Sequence, residues 1–395
     1  MTCPRPRPRS EPGRILVVDD TEANRDLLVR RLHREGHATE VAADGHEALR
    51  WLLAGGFDLV LLDIMMPGMN GYELLQRMRA DPELGLVPVI LISALDDSDS
   101  VVKGIELGAD DHLPKPFNPH ILRARVEASL ARKRLRDREQ LHARSLQREM
   151  DIARNIQAGF LPRTLPRPAG WGLAAWCQPA RDVGGDFYDA YVLGDGRRLV
   201  LVVADVCDKG VGAALFMVLF RSLLRAQAER ILEAGGDPGA QVCELVAGVN
   251  DYIARVHERD NMFATIFISV LDPSTGELVY VNAGHEAPVV RWQDGACTRL
   301  QPTGPAAGAM PGAVFAAARV NLGHGAILLA CTDGVTDATG ADGDGYSEPR
   351  LLACLGAARG GADGCLRAVR ADLEAAMGGA PQFDDITLLV LHREA

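Results

Sequence analysis

The sequence contains no apolar run approaching the roughly 18 residues that a membrane-spanning helix needs. Its start, M-T-C-P-R-P-R-P-R-S, has no apolar segment of a secretory signal. These two absences predict a cytoplasmic protein with no membrane partner. Cysteine is sparse and scattered: Cys3, Cys177, Cys207, Cys243, Cys297, Cys331, Cys354 and Cys365 include no C-x-x-C pair. The pattern argues against disulfides, zinc or a thiol nucleophile and for reduced core thiols. An excess of positive charge is also missing. Lys and Arg number 42 against 53 Asp and Glu, a formal net charge of −11, so the chain as a whole does not look like a nucleic-acid binder. No internal repeat is visible.

What is present is an ordinary bulk composition with acid placed at particular points. At 395 residues, 47% hydrophobic and 24% charged, the chain is long enough for two or three domains with sizeable cores. Residues 1–13 alternate Pro and Arg, which cannot bury a core and reads as a disordered tail. From residue 14 to about 130, short apolar runs alternate with amphipathic stretches. Ile15–Val18 ends at Asp19 and Asp20, Phe57–Leu62 at Asp63, Val87–Ile92 at Ser93, and Asp111–Pro114 leads into Lys115. With Ala38–Ala42 these make five strand-like runs separated by helices, which predicts a parallel sheet flanked by helices. In such sheets ligands collect at the carboxyl ends of the strands, where Asp19, Asp20, Asp63, Ser93 and Lys115 all fall.

With D-D, D-I-M-M-P-G-M-N-G, S-A and K-P-F in place, residues 14–130 resemble the receiver domain of two-component response regulators, a flavodoxin-like five-stranded α/β fold. The resemblance implies that Asp63 accepts a phosphoryl group from a sensor histidine kinase. Asp19 and Asp20 would hold Mg²⁺, Asp20 more directly, with Asp63 and Met65 completing the ligands; Ser93 would hydrogen-bond the phosphate and Lys115 would pair with it. The chemistry is sound in itself: a carboxylate can attack phosphorus only if the developing charge is neutralised, which Mg²⁺ and an ammonium do. Pro116 makes a cis peptide after Lys115 feasible. His112 stands where this family usually carries Tyr or Phe as a rotating switch, and reads as a half-exposed strand residue.

Between residues 118 and 160 the turn residues vanish, and 131–160 reads as a helical linker, a candidate coiled coil. Leu122, Val126 and Leu130 continue one helical face, and Leu141, Leu146, Met150, Ile152 and Ile156 add apolar positions among many Arg residues. The step from Leu141 to Leu146 breaks a strict heptad. Two long helices paired through an imperfect seam are the expectation, a solvated single helix the alternative, and a homodimer is the expected assembly. Prolines at 162, 166 and 168 then end the helix and open a domain over 161–395. Strand-like runs near 172–178, 187–193 and 198–204 precede long apolar helices near 211–229 and 240–256. More strands and two helices over about 349–377 follow, with a last strand at 386–392. Blocks of strands with paired helices fit an α+β domain of two packed sheets covered by helices.

Within this domain, acid stands at strand ends: Asp186 in R-D-V-G-G-D-F-Y-D, Asp205 in A-D-V-C-D-K-G, Asp333 in C-T-D-G and Asp384-Asp385 in F-D-D-I-T. Unit charges ~4 Å apart repel by about 4 kcal/mol at an effective dielectric near 20, so a converging cluster calls for cations. Hard oxygen donors without matching His or Cys point to Mg²⁺ or Mn²⁺. These blocks, together with N-A-G-H, occur in this order in bacterial PPM-type serine/threonine phosphatases, and the chain resembles the stage II sporulation protein E branch, which acts on phosphorylated anti-sigma-factor antagonists. The resemblance implies two Mg²⁺ or Mn²⁺ ions, with Asp205 bridging, the carbonyl of Val206 joining at one ion, and Asp333 and Asp384 completing the other. Asp186 would hold water at the ions, Asp384 is preferred to Asp385 as the ligand of that pair, and Arg181 could clamp the substrate phosphate. His285 reads as a structural histidine, and the stripe Leu215–Phe220 as core.

Two rivals are open. G-G-D-F is similar to the signature of diguanylate cyclases, but that reading needs an acidic residue where Phe187 stands and leaves the later aspartates unexplained. A metal-dead scaffold that binds an anti-sigma antagonist is the non-enzymatic rival. The order of domains implies that phosphorylation of Asp63 controls the second domain through the helical linker.

Overall fold

The computed structural model describes residues 12–94, 98–194, 196–234, 236–340 and 345–394. Up to residue 11, the expected disordered tail, with Cys3, lies outside the described residues. The chain divides into two compact units, at residues 146 and 147.

The first unit runs β1 (Arg14–Val18), α1 (Glu22–Arg34), β2 (Ala38–Ala42), α2 (Gly45–Ala54), β3 (Leu59–Asp63), α3 (Gly71–Ala80), β4 (Val89–Ala94), α4 (Ser98–Glu106), β5 (Asp111–Lys115) and α5 (Pro119–Phe160). Its strands form one parallel sheet in the order β2-β1-β3-β4-β5. Successive strand residues face opposite sides. Ile15 and Val17 therefore pack with Leu28 and Leu32 of α1 and with Leu122, Val126 and Leu130 of α5. Leu16 and Val18 pack with Leu52 of α2 and Leu74, Leu75 and Met78 of α3. With both faces covered, the central strands β1, β3 and β4 read as apolar runs. Side chains start the helices: Asp44 accepts from the N–H groups of His46 and Glu47, and Asn70 from that of Glu73. The Lys115–Pro116 peptide is cis.

Residues 119–160 form one uninterrupted helix, α5, of 42 residues, so the chain supplies a single helix and not two that pair within it. Between Pro119 and Gly159 no Gly or Pro interrupts a run rich in Arg, Leu, Ala and Glu, all strong helix formers. Leu122, Val126 and Leu130 are buried, each worth roughly 1.5–3 kcal/mol. Leu135, Leu141 and Leu146 are exposed.

The second unit continues with β6 (Trp171–Gln178), β7 (Phe187–Leu193), β8 (Arg198–Val206), α6 (Val211–Leu232), α7 (Pro238–Val256), β9 (Ala264–Leu271), β10 (Glu277–Ala283), β11 (Val289–Arg291) and β12 (Cys297–Arg299). It ends with β13 (Ala318–Asn321), β14 (Ile327–Cys331), α8 (Asp333–Thr336), α9 (Glu348–Ala357), α10 (Gly361–Met377) and β15 (Ile386–Arg393). Two five-stranded sheets result, β13-β10-β9-β8-β7 and β12-β11-β14-β15-β6, antiparallel throughout. Leu199, Leu201, Val203 and Phe267 of the first sheet meet Leu328, Ala330, Leu389 and Leu391 of the second. Helices α6 and α7 cover the outer face of the first sheet, and α9 and α10 that of the second. The expected α+β domain of two packed, helix-covered sheets is what the chain builds.

Two sequence readings need correction. Helix α6 is long and apolar enough by length and composition to cross a membrane, the one such helix among the described residues. Its apolarity has a core role: Ala213, Met217, Phe220, Leu224 and Ala228 are buried against the sheet, and Arg221 and Arg225 pair with buried Asp189. The stripe Leu215–Phe220 is only partly core, since Leu215 is 66% exposed; a helix turns side chains outward as well as inward. The second correction concerns the thiols. The described cysteines are free; Cys365 is buried, Cys297 is exposed, and the others are partly exposed as whole residues, although burial is the main influence on the Cys177 and Cys331 thiols.

Candidate functional site

In the first unit, the carboxyl ends of β1, β3 and β5 bring acid and base together. One oxygen each of Asp19, Asp20 and Asp63 lies within 4.8 Å of the others. Lys115 Nζ donates to Asp63 at 2.7 Å and to Asp19 at 2.9 Å. Asp19 is fully buried, and the Thr21 N–H and the Asn24 amide also donate to it. Burial pushes the Asp63 carboxyl above the usual carboxylate range, with Lys115 opposing and Asp19 reinforcing. Burial works against the Lys115 charge, yet its bonds to Asp63 and Asp19 hold its pKa above the ordinary value. The Met65 N–H faces the Asp63 carboxylate while its side chain is exposed. A Cβ on Gly71 would strike the carbonyl of Asp63, so glycine lets α3 start against the end of β3. Three convergent carboxylates with one ammonium make an oxygen donor set that fits a hard cation such as Mg²⁺.

His112 is more than the half-exposed strand residue expected from its position. Its Nε2 lies 2.8 Å from the Ser93 hydroxyl, and burial lowers its pKa.

In the second unit, Asp186 precedes β7, Asp205 lies near the end of β8, Asp333 opens α8 after β14, and Asp384 precedes β15. Strand ends of both sheets thus contribute, and the carboxyls perturb one another. Burial, then the charge of Asp205, drives Asp186 well above the carboxylate range, against the Thr332 hydroxyl, which donates to it at 2.7 Å. Asp205 is pushed up to about 7 by burial and then by Asp333, while a hydrogen bond to Asp186 opposes. That bond between two carboxyl groups requires a proton on one of them. Asp333 is raised by burial and then by Asp384. Repulsion of this kind is relieved by divalent cations, and the donors, all oxygen, suit Mg²⁺ or Mn²⁺.

The adjacent Asp384 and Asp385 part company. Asp384 is partly exposed and pairs with Lys209. Asp385 is buried, and its oxygens accept the N–H groups of Ala180 and Gly185, each at 2.7 Å. It thereby anchors the loop that carries Asp186 from behind. The glycines of G-G-D are explained by contact: a Cβ on Gly184 would strike the Asp385 carboxylate, and one on Gly185 would lie 2.5 Å from the Val206 carbonyl oxygen. Arg181 is exposed and shares a cavity of about 240 Å³ with Asp186, Gln157, Cys177 and Met217.

Residues 195–394 match the stage II sporulation protein E (SpoIIE) family, and residues 15–127 match the response regulator receiver domain. The chain belongs to the SpoIIE family. It is 40% identical over 263 residues to Protein IcfG of Synechocystis sp., covering 62% of this chain and 41% of that protein. It is 32% identical over 264 residues to Response regulator PleD of Caulobacter vibrioides, covering 64% and 58%. The chain spans about half the length of the curated relatives it matches. Among solved structures, the SiaA-PP2C domain of Pseudomonas aeruginosa shares the fold, with a TM-score of 0.54 at 22% identity, over 64% of this chain and 98% of that one.

The SpoIIE match takes in Asp205, Asp333 and Asp384 and begins after Arg181 and Asp186. It is the Thr332–Asp186 hydrogen bond and the Asp385–Gly185 bond that tie the G-G-D loop into the SpoIIE domain. Other residues sort as structural. His285 is buried and bonded to the Thr265 hydroxyl, and burial drops its pKa to about 4, so the ring is neutral. Burial pushes the thiols of Cys177 and Cys331 up to about 12, which rules them out as nucleophiles at neutral pH. Sequence reasoning missed Thr332, Gln157 and Lys209. Thr332 adjoins Asp333 in C-T-D-G and was open to notice; Gln157 looks like any polar residue on a helix.

Proposed function

We propose that this chain is a response regulator in which phosphorylation of Asp63 by a sensor histidine kinase controls a metal-dependent protein serine/threonine phosphatase. Its substrate is a phosphorylated anti-sigma-factor antagonist, and the protein acts in the cytoplasm as a homodimer paired along α5, where Leu135, Leu141 and Leu146 are exposed. The observation that carries the reading is that Asp186, Asp205 and Asp333 are all raised above the carboxylate range, first by burial and then by a neighbouring carboxylate in each case, an arrangement that costs stability unless cations bind it.

Asp186, Asp205, Asp333 and Asp384, with the Val206 carbonyl, would hold two divalent ions, which when bound supply an activated water and neutralise charge on the phosphoryl group. Thr332 orients Asp186, and Asp385 fixes the loop that presents it. Arg181, at the rim of the same cavity, meets the phosphate of the substrate with its forked donors. Because water is the attacking group in this reading, no phosphoenzyme would form in this domain, in contrast to the aspartyl phosphate at Asp63. There, Lys115 and Mg²⁺ held by Asp19, Asp20 and Asp63 with Met65 balance the transferred charge, and Ser93 hydrogen-bonds the phosphoryl oxygens.

The test is hydrolysis of p-nitrophenyl phosphate and of a phosphoserine antagonist with added Mn²⁺. Turnover that disappears in Asp205→Asn supports the phosphatase; equal, negligible rates in both would leave a scaffold. Cyclisation of GTP would be required of a diguanylate cyclase, and the residue after G-G-D, Phe187, is fully buried in the core, where an acidic group would be stranded.

A further inference from the structure

Lys209 lies in the turn between β8 and α6, four residues after Asp205. Its ammonium sits 2.8 Å from a carboxylate oxygen of Asp384, 2.9 Å from the carbonyl oxygen of Phe383 and 4.1 Å from the centroid of the Phe383 ring. The side chains of Lys209 and Asp384 are only 28% and 27% exposed, whereas Phe383 is 72% exposed and packs its face on the cation. Two of the three contacts, the carbonyl and the ring face, are independent of the Asp384 charge. They favour an ammonium beside Asp384 independently of the ion pair itself.

An ammonium hydrogen-bonded to a carboxylate oxygen occupies that acceptor site and repels a divalent cation approaching the same group. Either the lysine moves away, losing the ion pair, or it stays and repels the incoming ion. We propose that Lys209 is a built-in competitor for the metal ion at Asp384, so that the affinity of this arm of the site for divalent cations is set by Lys209 and lowered by it. The inference rests on the reading of Asp384 as a metal ligand.

The experiment measures Mn²⁺ binding directly, by calorimetry and by the electron paramagnetic resonance signal of free Mn²⁺. It uses the full chain with Asp20→Asn, which takes the receiver ion out of the count. Lys209→Met should bind Mn²⁺ about two- to fivefold more tightly, the scale of a partly exposed ion pair. Lys209→Arg keeps the charge and should remain near the parent. In an Asp384→Asn background the gain from Lys209→Met should vanish. Equal affinity in Lys209→Met and the parent overturns the inference, as does an equal gain in Lys209→Arg, which would mean that packing and not charge is at work. Asp205→Asn and Asp384→Asn in the same assay test the underlying reading separately: if both bind Mn²⁺ like the parent, these aspartates are not ligands and the inference falls with them.

Discussion

Gln157 donates through Nε2 to the carbonyl of Gly184 at 2.6 Å and accepts the Gly184 N–H through Oε1 at 3.2 Å, both bonds buried. One side chain near the end of α5 thus satisfies both backbone groups of a residue two positions before Asp186. One turn earlier, Arg154 donates to the carbonyl of Asp182 at 3.1 Å and pairs with its carboxylate.

Gln157→Ala should therefore act on the carboxylate site although the residue touches no ion. It leaves a buried N–H and C=O without partners, a cost of about 1–3 kcal/mol, and frees the Asp186 loop. Turnover of p-nitrophenyl phosphate should fall roughly tenfold or more, as expected when a positioning contact is lost, with a lowered melting temperature. Gln157→Glu keeps an acceptor for the Gly184 N–H and should fall between. Wild-type turnover in Gln157→Ala would show that the loop holds its place without the helix.

The raised carboxyls make a pH prediction. Folded Asp205 titrates near 7, against an unfolded value of about 3.9. Between those values the folded chain keeps a proton that the unfolded chain has released, so the contribution of this group to stability falls as pH rises through the window. Below about pH 4 the penalty is gone. The span corresponds to at most ~4 kcal/mol. In EDTA, Asp205→Asn should melt several degrees above wild type at pH 8, with the gap closing as the pH approaches 4. Excess Mg²⁺ should raise the wild type at pH 8 and do little for Asp205→Asn. A gap that is the same at every pH would mean that the substitution acts through packing.

Much of this architecture was legible because its signals are local. The first sheet could be read from apolar runs ending at Asp19, Asp63 and Ser93, and the second unit from strands that stop at acidic or glycine-rich turns. The linker was misjudged because periodicity along 118–160 describes faces, and only a break residue would have told two helices from one. The separation of Asp384 from Asp385 was suggested by resemblance alone. Its physical basis is that Asp385 meets the N–H groups of Ala180 and Gly185, about 200 residues upstream, and no local pattern records such a contact. The short strands β12 and β13 carry exposed residues and leave hardly any hydrophobic trace.

The glycines give a paired prediction. A side chain on Gly184 would collide with Asp385, and one on Gly334 with the backbone of Asp385. Gly184→Ala should displace the anchor of the Asp186 loop, destabilise the unit by roughly 1–3 kcal/mol as overpacking does, and lower Mn²⁺-supported turnover. Gly248 is also glycine but lies in mid-α7 with open space at its Cβ. Gly248→Ala should stabilise by about 1 kcal/mol through helix propensity alone and leave turnover unchanged. Thermal unfolding and steady-state hydrolysis of the two variants check both halves; similar behaviour in the pair would undo the steric account.

Control from Asp63 makes a stronger demand on α5. The helix is the last element of the receiver, with Leu122, Val126 and Leu130 buried against its sheet, and it carries Gln157 and Arg154 onto the Asp186 loop at its other end. Between these anchors there is no glycine or proline, and the proposed control requires the helix to carry a rotation or shift, which a flexible Gly/Ser connector would not transmit. Loading the chain with acetyl phosphate should change the rate of p-nitrophenyl phosphate hydrolysis, and Asp63→Asn should abolish the change. Four glycines inserted between Arg138 and Glu139 should leave receiver phosphorylation intact, leave basal hydrolysis near wild type, and make the rate insensitive to phosphorylation. If the inserted chain still responds to acetyl phosphate as wild type does, the signal does not travel along the helix, and the Gln157 clamp serves only to hold the loop.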